Sequence, residues 1–142
     1  MIEIRPIQDG DMAYVRANPL QESVKGYPDL VPSPDSYTCL FDGKIVAVGG
    51  VVIYLEGIGE IWLMLTKQAR EDGFRGLAAF NTIKKKIEEF IVEHKLRRVE
   101  AQVRSDFPEA LRMIKALKFN YEGTKKEATP DRVDMQMFAR II

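Results

Sequence analysis

The segment that most constrains the fold joins an apolar run, two glycines and a long amphipathic pattern over residues 60–95. The run Glu60-Ile61-Trp62-Leu63-Met64-Leu65-Thr66 is typical of a strand that is covered on both faces. After Gly73 and Gly76, apolar residues recur at steps of three and four, at positions 77, 80, 83, 87, 90 and 91. This spacing predicts a helix over residues 77–95. A strand, a glycine loop and a helix in this order indicate an α/β fold.

Shorter patterns on both sides of this segment predict further strands. Residues 98–104 alternate strictly, with Val99, Ala101 and Val103 on one face of a strand. Asp42-Gly43 separates two runs rich in β-branched and aromatic residues, which predicts a hairpin. The remaining predictions are strands at 2–5, 119–125 and 133–141, short helices after residue 11 and from Pro108, and a proline-rich loop over 26–36.

Length and composition narrow the class of protein. A chain of 142 residues fits one domain, so we expect a single domain over residues 1–142. The single cysteine, Cys39, excludes an internal disulfide and a cysteine-rich zinc site, and it favours a cytoplasmic location. Basic and acidic residues number 21 each, which excludes the broad positive field of a nucleic-acid-binding protein. We also expect no leader, and no association with a membrane, because no apolar segment is long enough to span one.

The glycine loop has the chemistry of an anion site. Consecutive backbone N–H groups at a helix N-terminus bind phosphate, and glycine lets the chain approach the ligand closely. Arg70 and Arg75 can add charge-assisted hydrogen bonds, and Gly76 permits a second close approach. The alternative is a plain helix entry, because glycine and arginine are common at strand-to-helix junctions.

The order of the elements resembles the GNAT family of N-acetyltransferases over nearly the whole chain. In that family the loop reads Gln or Arg, two residues, Gly, one residue, then Gly or Ala, and here the match is Arg70-Glu71-Asp72-Gly73-Phe74-Arg75. The resemblance implies an α/β (α+β) fold, with a mixed, mainly antiparallel, twisted central sheet of six to seven strands and helices on both faces. It also implies acetyl-CoA as cosubstrate, with its pyrophosphate held at Arg70, Gly73, Phe74, Arg75, Gly76 and Leu77.

The same resemblance implies where the rest of the chemistry lies. Pantetheine would pair, like an added strand, with the backbone of Leu63, Met64 and Leu65. The acceptor would be an amine, of a small molecule or a protein, that attacks the thioester directly in a ternary complex. A general base is then needed on the fourth or fifth strand, and Glu60 is the first candidate and Glu100 the second. A homodimer through the terminal strands is also compatible with this resemblance.

Several family residues are replaced in this chain. Arg75 stands where the loop usually has a small residue, and its side chain could hold the phosphate or occupy its place. Ile114 stands where many members have a tyrosine that protonates the CoA thiolate, so Tyr121 is the substitute candidate. Lys118 stands in place of a glycine. These replacements support an alternative function, a catalytically degenerate binding or structural module of the phage type.

Overall fold

The fold is described from a computed structural model that covers residues 1–27, 32–71 and 77–142, with side chains except at 70, 71 and 77–79. The strands are β1 (Ile2–Pro6), β2 (Asp35–Phe41), β3 (Lys44–Leu55), β4 (Ile58–Leu65), β5 (Arg98–Arg104), β6 (Asn120–Lys125) and β7 (Met135–Ile141). The helices are α1 (Asp11–Ala17), α2 (Gln68–Glu71), α3 (Leu77–Glu93) and α4 (Pro108–Ala116), and a 3-10 helix covers Glu22–Gly26.

The strands form one mixed sheet in the order β1-β2-β3-β4-β5-β7-β6. β4 and β5 run parallel, whereas β1–β2, β2–β3, β5–β7 and β6–β7 pair antiparallel. A crossover that contains α3 joins the two parallel strands, as parallel pairing requires. The predicted fold class, a mainly antiparallel sheet of six to seven strands flanked by helices, is confirmed.

The chain divides into two compact units. The first comprises Met1–Val52 and Trp62–Asn81, and the second comprises Ile53–Ile61 and Thr82–Ile142. The single domain over residues 1–142 stays a prediction.

In the first unit, the β2–β3 hairpin turns at Asp42-Gly43, as the sequence predicts. Both residues have positive φ, 49° and 80°, the conformation of a type I′ turn. Further along β3, Gly50 lies so close to β2 that a Cβ atom there would be 2.3 Å from the carbonyl oxygen of Asp35. Gly50 is therefore a point of close approach between the two backbones, and the described register shift lies in β2, between Cys39 and Leu40.

A buried carboxylate connects α1 to the strands of the first unit. Asp11 is 5% exposed and accepts two hydrogen bonds from Arg5, at 2.7 and 3.1 Å. It also accepts the backbone N–H of Gln8 at 2.8 Å and the hydroxyl of Thr38 at 2.6 Å. Burial by itself would raise the pKa of Asp11, but these hydrogen bonds outweigh it and lower the pKa to about 2.

In the second unit, the apolar stripe of α3 is buried at Ile87, Phe90 and Ile91, as its spacing predicts. Val99 and Ala101, on one face of β5, are buried as well. Further buried apolar residues are Ile114, Leu117, Phe119 and Phe138. The opposite face of β5 carries Arg98, Glu100 and Gln102, which are only half-buried. This second face belongs to a polar cluster, which comprises Tyr54, Glu60, Arg98, Glu100 and Gln102.

Element ends differ from the predictions by a few residues. β4 begins at Ile58, directly after the turn at Glu56-Gly57, and not at Glu60. The 3-10 helix and α2 are too short to produce a periodic pattern, so the sequence did not predict them. Over the described ranges, no helix is long and apolar enough to cross a membrane.

Candidate functional site

Two carboxylates predicted as bases lie side by side in the second unit. Glu60 on β4 and Glu100 on β5 are partners in the parallel register, and they follow the pairs Ile58–Arg98 and Gly59–Val99. Both side chains are half-buried. Because directly paired residues project from the same face of a sheet, the two carboxylates belong to one polar cluster.

Glu100 is held by a cation and a phenol. Arg98, two residues earlier on the same face of β5, donates from Nε to Glu100 at 2.6 Å, and the hydroxyl of Tyr54 also donates to it. Burial would raise the pKa of Glu100, but the hydrogen bonds from Tyr54 and Arg98 outweigh it and lower the pKa. The same contact raises the pKa of Tyr54 to about 12. Glu100 is therefore a firmly ionised carboxylate and a weak base.

Arg98 binds a second carboxylate as well. Its Nη1 atom donates to Glu122 of β6 at 3.0 Å, and its Nη2 atom donates to the other oxygen of the same group. The hydrogen bonds to Glu122, followed by those to Glu100, raise the pKa of Arg98, while those from Arg98 lower the pKa of Glu122. Arg98 thus links β5 to β6 by its ion pair with Glu122, and it restrains the side chain of Glu100.

Glu60 has a different environment from Glu100. Within the described part of the chain, its hydrogen bond comes from a neutral group, the side-chain amide of Gln102, with 3.4 Å between Nε2 and Oε1. No ion pair to Glu60 is found among these residues. Of the two candidate bases, Glu60 is therefore the one that forms no ion pair with a described cationic side chain.

Tyr121, the candidate substitute acid, is not brought to this cluster. Its register partner is Phe138 of β7, which is paired in turn with Ala101. Ala101 follows Glu100 along β5, so these two residues project from opposite faces of the strand. Tyr121 therefore lies on the face of Ala101, opposite to Glu100. The Tyr121 ring packs edge-on against Phe138, with 5.9 Å between centroids, and its hydroxyl shares a 2.6 Å hydrogen bond with Thr124.

The far end of β4, in the first unit, contains the residues predicted to pair with pantetheine. The N–H of Thr66 donates to Val46 of β3 at 3.0 Å. Because successive residues of an extended chain direct their backbone groups to alternate edges, those of Leu65 point away from β3. The carbonyl of Leu65 indeed accepts a hydrogen bond of 2.9 Å from Leu20, outside β3.

The same alternation separates the other two predicted residues. Met64 directs its N–H and C=O toward β3, whereas Leu63 directs them to the same edge as Leu65. The parallel register of β4 with β5 covers only Ile58 to Glu60. The backbone groups suited to pair with an added strand are therefore the N–H and C=O of Leu63 and the N–H of Leu65.

The predicted phosphate loop lies mostly outside the described residues. Gly73, Phe74, Arg75 and Gly76 belong to the part that the structure does not describe. Of the other two predicted residues, Arg70 lies in α2 and Leu77 is the first residue of α3. The phosphate site at these six positions stays a prediction.

No family model matches the chain, and no curated protein matches it. Solved structures resemble it along its length. The acetyltransferase of the GNAT family from Bacillus anthracis has a TM-score of 0.74 and 16% identity, and the alignment covers 99% of this chain and 94% of that chain. The chain has the GNAT fold.

Two further structures with the GNAT fold have named acceptors. A mutant of spermidine N-acetyltransferase from Vibrio cholerae has a TM-score of 0.75 and 12% identity, covering 99% of this chain and 93% of that one. A ribosomal-protein alanine N-acetyltransferase from Escherichia coli has a TM-score of 0.70 and 15% identity, covering 100% of this chain and 94% of that one. At these identities the likeness establishes the fold alone.

Sequence reasoning did not select three residues of the cluster: Tyr54, Arg98 and Gln102. The alternation of β5 already places Arg98 and Gln102 on the face of Glu100, so a signal for these two residues was present. Tyr54 lies on another strand, 46 positions before Glu100, and no local pattern connects them. Within the GNAT fold, that contact depends on how β3 is placed in the sheet.

Proposed function

We propose that this protein is an acetyl-CoA-dependent N-acetyltransferase, which transfers an acetyl group to an amine by direct attack in a ternary complex. The observation that carries the proposal is the fold likeness over 99–100% of the chain to solved structures that are acetyltransferases. The polar cluster on β4 and β5 adds a carboxylate suited to proton transfer. Function depends on the site more than on the fold, so the site residues are the part to be tested.

Glu60 is the proposed general base. A base must accept a proton in the transition state, and a carboxylate already bound to a guanidinium does this poorly. Glu100 has such a partner in Arg98, whereas Glu60 is bound by the amide of Gln102. As the amine nitrogen bonds to the acetyl carbon, the carbon–sulfur bond breaks, CoA leaves as a thiolate, and Glu60 takes the proton of the amine.

No tyrosine of the described chain is proposed as a proton donor to the thiolate. Ile114, at the family's tyrosine position, is 4% exposed and belongs to the core. Tyr121 lies on the other face of the sheet from Glu100. Since an ordinary thiol has a pKa of about 8.5, its thiolate is an adequate leaving group, and water can protonate it.

Acetyl-CoA supplies the thioester, and two parts of the chain are proposed to bind it. The backbone groups of Leu63 and Leu65 that point away from β3 fit the pairing of an extended pantetheine, because strand addition needs only main-chain donors and acceptors. The pyrophosphate is proposed to lie at the backbone of residues 70–77, assisted by Arg70 and Arg75. The proposed acceptor is an amine of a small molecule or of a protein, and the expected location is the cytoplasm.

The test compares Glu60→Gln with Glu56→Gln, an exposed glutamate in the preceding turn. Calorimetry measures binding of acetyl-CoA and CoA, and thiol release is followed with a panel of amines. We expect Glu60→Gln to bind acetyl-CoA like the wild type and to lose about 100-fold or more in kcat, the usual share of general-base catalysis. Glu56→Gln should keep its rate. An unchanged rate in Glu60→Gln, with a loss in Glu100→Gln, would move the base to Glu100.

One observation favours the alternative of a degenerate module. The position of the family's acid is occupied by the buried side chain of Ile114, so that part of the fold serves packing. If the protein is such a module, it binds acetyl-CoA, but the rate of CoA release with every amine in the panel equals the rate in buffer alone. Absence of binding to both acetyl-CoA and CoA would contradict both functions.

A further inference from the structure

The half-buried glutamine of β5, Gln102, contacts a carboxylate of the neighbouring strand. Gln102 follows Glu100 by two residues, so both side chains project from the same face. On β7 its register partner is Met137, which offers no polar side chain beyond a thioether. Its amide instead reaches across to β4 and donates to Oε1 of Glu60 at 3.4 Å.

The type of donor distinguishes the two carboxylates of the cluster. An ammonium or guanidinium bound to a carboxylate stabilises the anion strongly and reduces its tendency to take a proton. A neutral amide restrains the orientation of the carboxylate and affects its charge much less. Glu100 has the first type of partner and Glu60 has the second. The difference in partners therefore separates a structural carboxylate from one that can exchange protons.

We propose that Gln102 is a positioning residue for Glu60, whose Oε1 it holds so that Oε2 is directed to the acceptor amine. This inference rests on the proposed function of Glu60 as general base. The distance of 3.4 Å is long for a hydrogen bond, and contacts of catalytic groups of this kind commonly shorten when substrate binds. Correct orientation of a reacting group contributes to kcat because it is set before the chemical step.

The variants that test this are Gln102→Leu, which removes the amide, and Gln102→Glu, which keeps the shape of the side chain but offers no N–H donor. Gln136→Leu is the matched control, since Gln136 lies on β7 opposite Val103 and thus on the other face from Gln102. We expect both Gln102 variants to lose about ten- to a hundredfold in kcat with unchanged KM values for acetyl-CoA and amine. Gln136→Leu should retain the wild-type kcat.

A purely structural role is excluded by repeating Gln102→Leu in the Glu60→Gln background. If Gln102 acts through Glu60, the second substitution has no further effect on kcat. Additive losses in the double variant, or a wild-type kcat in Gln102→Glu, would overturn the proposal. Thermal unfolding of each variant identifies any loss of the folded protein before rates are compared.

Failure of this inference is distinguishable from failure of the proposed function. If the wild type releases no CoA with any amine, the acetyltransferase function fails and the Gln102 inference fails with it. If the wild type is active and Glu60→Gln is inactive, while both Gln102 variants are as fast as the wild type, only the positioning role is refuted.

Discussion

Replacing Asp11 by asparagine tests whether the buried carboxylate stabilises the first unit by its charge. The folded pKa is about 2 against an ordinary value of 3.8, because the hydrogen bonds from Arg5, Thr38 and Gln8 outweigh the effect of burial. At 1.36 kcal/mol per pKa unit, this difference corresponds to about 2 kcal/mol of stability at neutral pH. The side chain is 5% exposed, so solvent screens this contribution little.

The sign of the pH dependence follows from the lowered pKa. Between the folded and unfolded pKa values, the unfolded chain binds more protons, so stability falls as the pH falls. The contribution of Asp11 is complete above about pH 5, about half of it is lost at about pH 3, and little remains below about pH 2. Asparagine has the same size but no charge, so it should lack this dependence.

The assay is urea unfolding of wild type and Asp11→Asn at about pH 7 and about pH 3. We expect the variant to be less stable by about 2 kcal/mol at the higher pH, and by about half as much at the lower. Asp9→Asn, an exposed neighbour, is the control and should change little. A loss for Asp11→Asn that is equal at both pH values would refute the reasoning, because it would come from packing and not from charge.

Two further predictions concern the first unit. Gly50→Ala should lower the free energy of unfolding by about 3 kcal/mol, because its Cβ would collide with the backbone of β2. Gly26→Ala is the control and should be nearly neutral, because no atom lies within 4 Å of the added Cβ. Equal effects of the two substitutions in urea unfolding would contradict the close approach. Burial raises the pKa of Cys39 to about 11, so the native thiol should react far more slowly with a disulfide reagent at about pH 8 than in urea. Equal rates would show that the thiol is accessible and easily ionised.

Much of the fold was predictable because its patterns are local. The Asp42-Gly43 turn, the alternation of β5 and the apolar stripe of α3 each reflect the conformation of a short segment, and the structure confirms all three. Element ends were less accurate, because helix ends and turns depend on few residues. The order of elements was sufficient to predict the GNAT fold, although its phosphate loop lies largely outside the described residues and its role stays a prediction.

The candidate site was predictable only in part. Sequence alone placed Glu60 on the fourth strand and Glu100 on the fifth, and alternation placed Gln102 on the face of Glu100. Tertiary structure decided that the two glutamates are register partners, that Arg98 and Tyr54 bind Glu100 and not Glu60, and that Tyr121 lies on the other face. The physical reason is that side-chain direction along one strand follows from its own geometry, whereas register between strands and contacts between distant residues depend on packing of the whole sheet.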